Sequence, residues 1–78
     1  MEPLSTLKPG TTARLGPPSG LDPEVVGELA ALRILPGEVV TILEAVGRGG
    51  PLLVQGAGGV FALGRRLAAR LSAEILDP

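Results

Sequence analysis

Cysteine, histidine, tryptophan and tyrosine are all missing from these 78 residues, Phe61 is the only aromatic and Lys8 the only lysine. With no cysteine there is neither a disulfide nor a thiol nucleophile. With no histidine either, the usual nitrogen and sulfur ligands of transition metals are gone. The eight carboxylates are scattered and do not replace them. Ser5, Ser19 and Ser72 have no imidazole to serve as base, and Lys8 is the sole alternative amine. The inventory therefore argues against an enzyme and calls for no metal or cofactor. Excess positive charge is also lacking, since seven basic residues face eight acidic ones and the net charge is −1. A nucleic-acid partner generally requires a basic surface to replace counterions and, for single strands, aromatic stacking platforms. Neither is present. The N-terminus carries Glu2 and Pro3 where a signal peptide would carry positive charge and an apolar core. The longest uncharged stretch, Gly49 to Gly64, is too short and too rich in glycine to span a bilayer. A cytoplasmic chain with no membrane insertion is the expectation.

What the chain does have is apolar content, 45% of its residues, punctuated by 12 glycines and 8 prolines. That fraction is well above the level at which chains stay disordered. The length allows one domain, residues 1–78, with a thin core. A domain so small and unstapled commonly gains support from self-association, which makes a homo-oligomer an option.

Proline–glycine pairs divide the chain. Pro9-Gly10 and Pro36-Gly37 each precede a β-prone run, Thr11 to Leu15 in the first case and Glu38 to Glu44 in the second. Proline presets φ at the second position of a type II turn, and glycine supplies the positive φ needed at the third. Between the pairs, Asp22-Pro23-Glu24 is a helix opening in which Asp22 would cap free N–H groups. Val25, Leu29 and Leu32 follow at helical spacing, and the helix must end before Pro36. Val39 to Val46 reads as a strand with Val40 and Ile42 on one face and Val39, Thr41 and Leu43 on the other. Leu52–Gln55 and Val60–Leu63 flank Gly56-Ala57-Gly58-Gly59, the pattern of a hairpin. Arg65 to Leu71 suits a short helical turn, and Ala73 to Leu76 a closing strand. Mainly β structure follows: about five strands and one inserted helix, closed into a small barrel that hides its edges.

The glycine clusters do not read as phosphate loops, because neither is followed by the Lys-Ser/Thr pair or by a helix. Glu24 and Glu28 lie four apart on the helix and read as a solvated face. Arg65, Arg66 and Arg70 form the one basic cluster, a solvated segment in the plain reading and a contact for an acidic or phosphate-bearing partner in the sharper one. Leu32-Arg33-Ile34-Leu35, the apolar corner at the helix exit, is either core or a partly exposed docking patch.

Taken in order from Leu4 to Leu76, these pieces resemble the FeoA family, the small ferrous iron transport protein A of bacteria. Leu4-Ser5-Thr6-Leu7-Lys8-Pro9-Gly10 resembles that family's leucine–serine–leucine–lysine–proline–glycine start. Leu29, Leu32, Ile34 and Pro36-Gly37 are similar to its helix-end signature, Gly50-Pro51-Leu52-Leu53-Val54 to its glycine–proline–leucine strand, and Val60 to Leu63 to its alanine–leucine–arginine strand. There are departures. Arg33 replaces the glycine of the helix-end signature, which points to an altered corner. Gly64 stands where an arginine is usual, with Arg65 one step later, and Val25, Val26 and Gly27 replace the arginines frequent early in the helix. The resemblance implies an SH3-like barrel acting in the cytoplasm beside a FeoB-type transporter, a membrane protein with a cytosolic GTP-binding domain. It also implies an accessory role, docking to that cytosolic part. The residues assigned to docking are Val26, Leu32, Arg33 and Leu35 at the helix and its exit, plus Arg48 at a loop tip. The alternative is a free-standing SH3-like interaction module of the kind appended to metal-dependent transcriptional repressors. A repressor itself would need a DNA-binding helical domain and metal-ligating clusters that these residues do not supply.

Overall fold

A computed structural model describes residues 1–76. Six strands are present: β1 (Glu2–Pro3), β2 (Thr12–Pro18), β3 (Val39–Ala45), β4 (Leu52–Gly56), β5 (Gly59–Leu63) and β6 (Leu71–Ile75). They form one antiparallel sheet in the order β1-β6-β2-β3-β4-β5. A 3-10 turn (Leu4–Thr6) follows β1, helix α1 (Pro23–Ala31) joins β2 to β3, and helix α2 (Arg65–Ala68) joins β5 to β6.

Both proline–glycine pairs make the turns expected of them. Gly10 has φ 90° and Thr11 N–H donates to Lys8 C=O at 3.1 Å; Gly37 has φ 92° and Glu38 N–H donates to Leu35 C=O at 3.1 Å. Alternation in β3 also holds. Val40 and Ile42 are buried, while Val39 and Leu43 face outward. Ala57 and Gly58 turn the β4–β5 hairpin, whose ladder runs from Leu52↔Leu63 to Gly56↔Gly59. The core is continuous: Leu4, Val40, Ile42, Leu52 and Val54 are its largest fully buried side chains. Each contributes about 1.5–3 kcal/mol of burial.

Five expectations need correction. The sheet has six strands rather than five, because Glu2 and Pro3 pair with Ala73 and Ser72 across a ladder too short to leave a sequence signal. It is not closed by hydrogen bonds: β1 and β5 end the strand order, and the seam between them is spanned by the 3-10 turn and α2. Strand β2 runs on through Pro17 and Pro18, past an irregularity between Leu15 and Pro18. Proline is tolerated there because β3 pairs only with Thr12, Ala13 and Arg14, so the far half of β2 has one open side. Strand β6 begins at Leu71, which shortens the C-terminal helical turn to Arg65–Ala68. At the start of α1 the Asp22 side chain makes no capping hydrogen bond, and the helix opens on Pro23 with Glu24 in its first turn.

Candidate docking site

The corner at the end of α1 is set by backbone hydrogen bonds. Arg33 N–H donates to Ala30 C=O at 2.9 Å and Ile34 N–H to Leu29 C=O at 2.9 Å. This is the paired-bond Schellman ending, which places the residue after the cap in the left-handed region. That residue is Arg33, with φ 66°, the one non-glycine with positive φ among the described residues. The corner therefore keeps the shape a glycine would give it, against the expectation of an altered one. The reason is packing: Leu29 and Ile34, which flank the turn, are both buried in the core and hold it shut. Arg33 points its guanidinium to solvent, 3.2 Å from the Glu38 carboxylate.

Beside this corner lies a small apolar pocket of about 20 Å³, lined by Val26, Leu29, Ile34 and Leu35 together with Leu15 and Leu71. Among the described residues, none that is charged lines it. Leu32 lies at the corner but not in the pocket, 41% exposed at the end of the stripe that begins with Val25. The stripe therefore splits: Leu29 is buried, Val25 packs against the core, and Leu32 turns to solvent. The Leu32 carbonyl meets Gly58 of the β4–β5 turn so closely that a Cβ on Gly58 would collide with it. The pocket is too small to take a whole side chain, so this corner offers apolar surface, exposed Leu32 included, and not a socket.

The five residues assigned to docking do not form one patch. Val26 and Leu35 share the pocket, with Leu32 and Arg33 at the corner nearby. Arg48 lies in a second, broad cleft with Ser5, Gly49, Arg65, Arg66 and Ala69. The basic cluster read from the sequence separates as well. Arg65 is half-buried and donates from Nε to Gly50 C=O at 2.7 Å and from a terminal nitrogen to Ser5 C=O at 2.8 Å. It joins the β3–β4 loop to the 3-10 turn across the open seam. Sequence reasoning missed this role, because both acceptors are backbone carbonyls and leave no trace in residue identity. Arg70 lies apart, its guanidinium over Gly20. Among the described residues no cluster of three or more His, Cys, Asp or Glu forms, and no helix is long and apolar enough to cross a membrane.

Fold and surfaces together define a small, mainly β domain of the SH3-like class with an apolar pocket at a helix exit. Its family follows from comparison with known proteins: the FeoA domain matches residues 2–75, and the chain belongs to the FeoA family. That family is a small accessory or regulatory one in ferrous iron transport. Among solved structures, the FeoA protein of Chlorobium tepidum is 27% identical, with a TM-score of 0.88 over 99% of this chain and 71% of that one. The zinc complex of FeoA from Stenotrophomonas maltophilia, described as a procaryotic SH3 domain protein, is 30% identical, with a TM-score of 0.76 over 91% and 87% of the two chains. A manganese-dependent transcriptional repressor is 20% identical, with a TM-score of 0.86 over 96% of this chain and 41% of that one; it shares the fold alone. Curated protein sequences gave no match.

Proposed function

We propose that this protein is a cytoplasmic accessory component of bacterial ferrous iron uptake. In this reading it docks to the cytosolic GTP-binding part of a FeoB-type transporter through the exit of α1. The observation that carries the reading is the FeoA match over residues 2–75. The pocket around Val26 and Leu35, with exposed Leu32 beside it, supports the choice of face. Its role is binding, and iron is the transporter's cargo.

Immobilised protein tested against the soluble GTP-binding domain of the host's transporter, with a GTP analogue, with GDP and without nucleotide, examines this directly. Saturable binding is expected in at least one nucleotide state, weakened about tenfold or more by Leu32→Glu, as for a charge placed in an apolar contact. Leu32 is exposed, so the variant keeps its fold, which a thermal melt verifies. Absence of binding in every state removes the soluble domain as the partner. The fold shared with the manganese-dependent repressor favours one second reading, a free-standing interaction module unrelated to the transporter. That reading predicts no binding to the intact transporter either.

A further inference from the structure

The cleft between the β3–β4 loop and α2, which holds Arg48, lies apart from the α1 exit through which docking is proposed above. Among its lining residues Arg48 and Arg66 are exposed and Arg65 is half-buried, and among the described residues no acidic one lines the cleft. Among the described residues the ion pairs are Arg14–Glu74 and Arg33–Glu38, so these three guanidinium groups have no carboxylate partner there. In a chain of net charge −1, three uncompensated positive charges in one cleft are a segregated charge. Arg65 is already fixed. Two of its N–H donors hold Gly50 and Ser5 carbonyls, so the remaining donors of its guanidinium are presented with little side-chain entropy left to lose. Arg48 sits between Gly47 (φ 58°) and Gly49 (φ 78°) at a loop tip.

We propose that this cleft binds an acidic segment of a partner protein, whose carboxylates are taken by Arg48, Arg65 and Arg66. Arginine forks match carboxylate geometry with two parallel hydrogen bonds. The cleft is wide and open, with about 550 Å³ of space, and so fits a length of chain better than one enclosed small anion. A second copy is disfavoured as occupant, because it would bring the same three positive charges to the contact. Nucleic acid is disfavoured by the net charge and by the absence of an aromatic lining residue.

The test is titration of the isotopically labelled protein with a short glutamate-rich peptide, with its glutamine counterpart, with inorganic phosphate and with phosphatidylserine vesicles. The glutamate peptide is expected to shift the amides of Gly49, Arg66 and Ala69 and to bind more weakly as salt rises. The glutamine peptide is expected to leave them unmoved. Arg48→Glu with Arg66→Glu should lower affinity about tenfold or more. If that pair disturbs folding, Arg48→Gln with Arg66→Gln makes the same comparison. Leu32→Glu should bind the peptide as the unaltered protein does, so failure at this cleft and failure at the apolar corner are separately visible. Shifts confined to other surfaces, or undiminished affinity in the double variant, would overturn the proposal. So would phosphate or vesicles binding at the cleft where the glutamate peptide does not.

Discussion

Two arginines show how differently one residue type is used in this chain. Arg33 occupies a left-handed backbone position, which costs an L-residue about 1–2 kcal/mol, and its ion pair with Glu38 is exposed and returns little. Replacing it with glycine removes the strain without disturbing Leu29 or Ile34. Arg33→Gly is expected to stabilise the fold by about 1 kcal/mol, seen as a rise in Tm of about 4–8 °C. Arg65 is the opposite case, since its planar fork reaches two carbonyls from separate elements. Arg65→Met should destabilise by about 1–3 kcal/mol in urea unfolding, and Arg65→Lys should recover less than half, because an ammonium cannot span both acceptors. Equal stability of all three proteins would remove Arg65 from the seam. Neither role was legible in the sequence. The family's glycine marked position 33 as special, but only the backbone shows that arginine is bent into the same shape.

At the level of elements, the legible features were those with local physical causes. Both proline–glycine turns, the alternation in β3, the β4–β5 hairpin and the opening of α1 at Pro23 follow from neighbours in the chain. The rest depends on pairing across the sheet. Strand β1 exists because β6 offers it an edge, and β2 runs through two prolines because β3 leaves that half unpaired. Glycine gives a matched test of such contextual effects. Gly27 lies on the exposed side of α1 with nothing near the position of a Cβ, so Gly27→Ala should stabilise by about 0.5–1 kcal/mol. Gly58 lies against the Leu32 carbonyl, so Gly58→Ala must push the hairpin turn off the helix exit, at a cost of about 1–3 kcal/mol. Urea midpoints that move in the same direction for both would contradict this packing of hairpin on corner.

For the molecule as a whole, the sheet is a barrel left open between β1 and β5, stitched by Arg65 and by a core reaching from Leu4 to Ala73. The pocket at Val26 and Leu35 and the arginine cleft have no lining residue in common. The sequence pointed to residues from both without showing that they were separate, because residues 32–35 and Arg48 are brought to their places only by the sheet between them. A fold of this class does not by itself fix a function, so the proposed role rests on family membership and on what the pocket contacts. The most direct measurement is ferrous iron uptake by cells in which this gene is deleted and then restored as the unaltered protein or as Leu32→Glu at equal abundance. Uptake that falls on deletion, returns with the unaltered protein and stays low with Leu32→Glu is the predicted result. Uptake indifferent to the deletion, or fully restored by Leu32→Glu, would contradict the account.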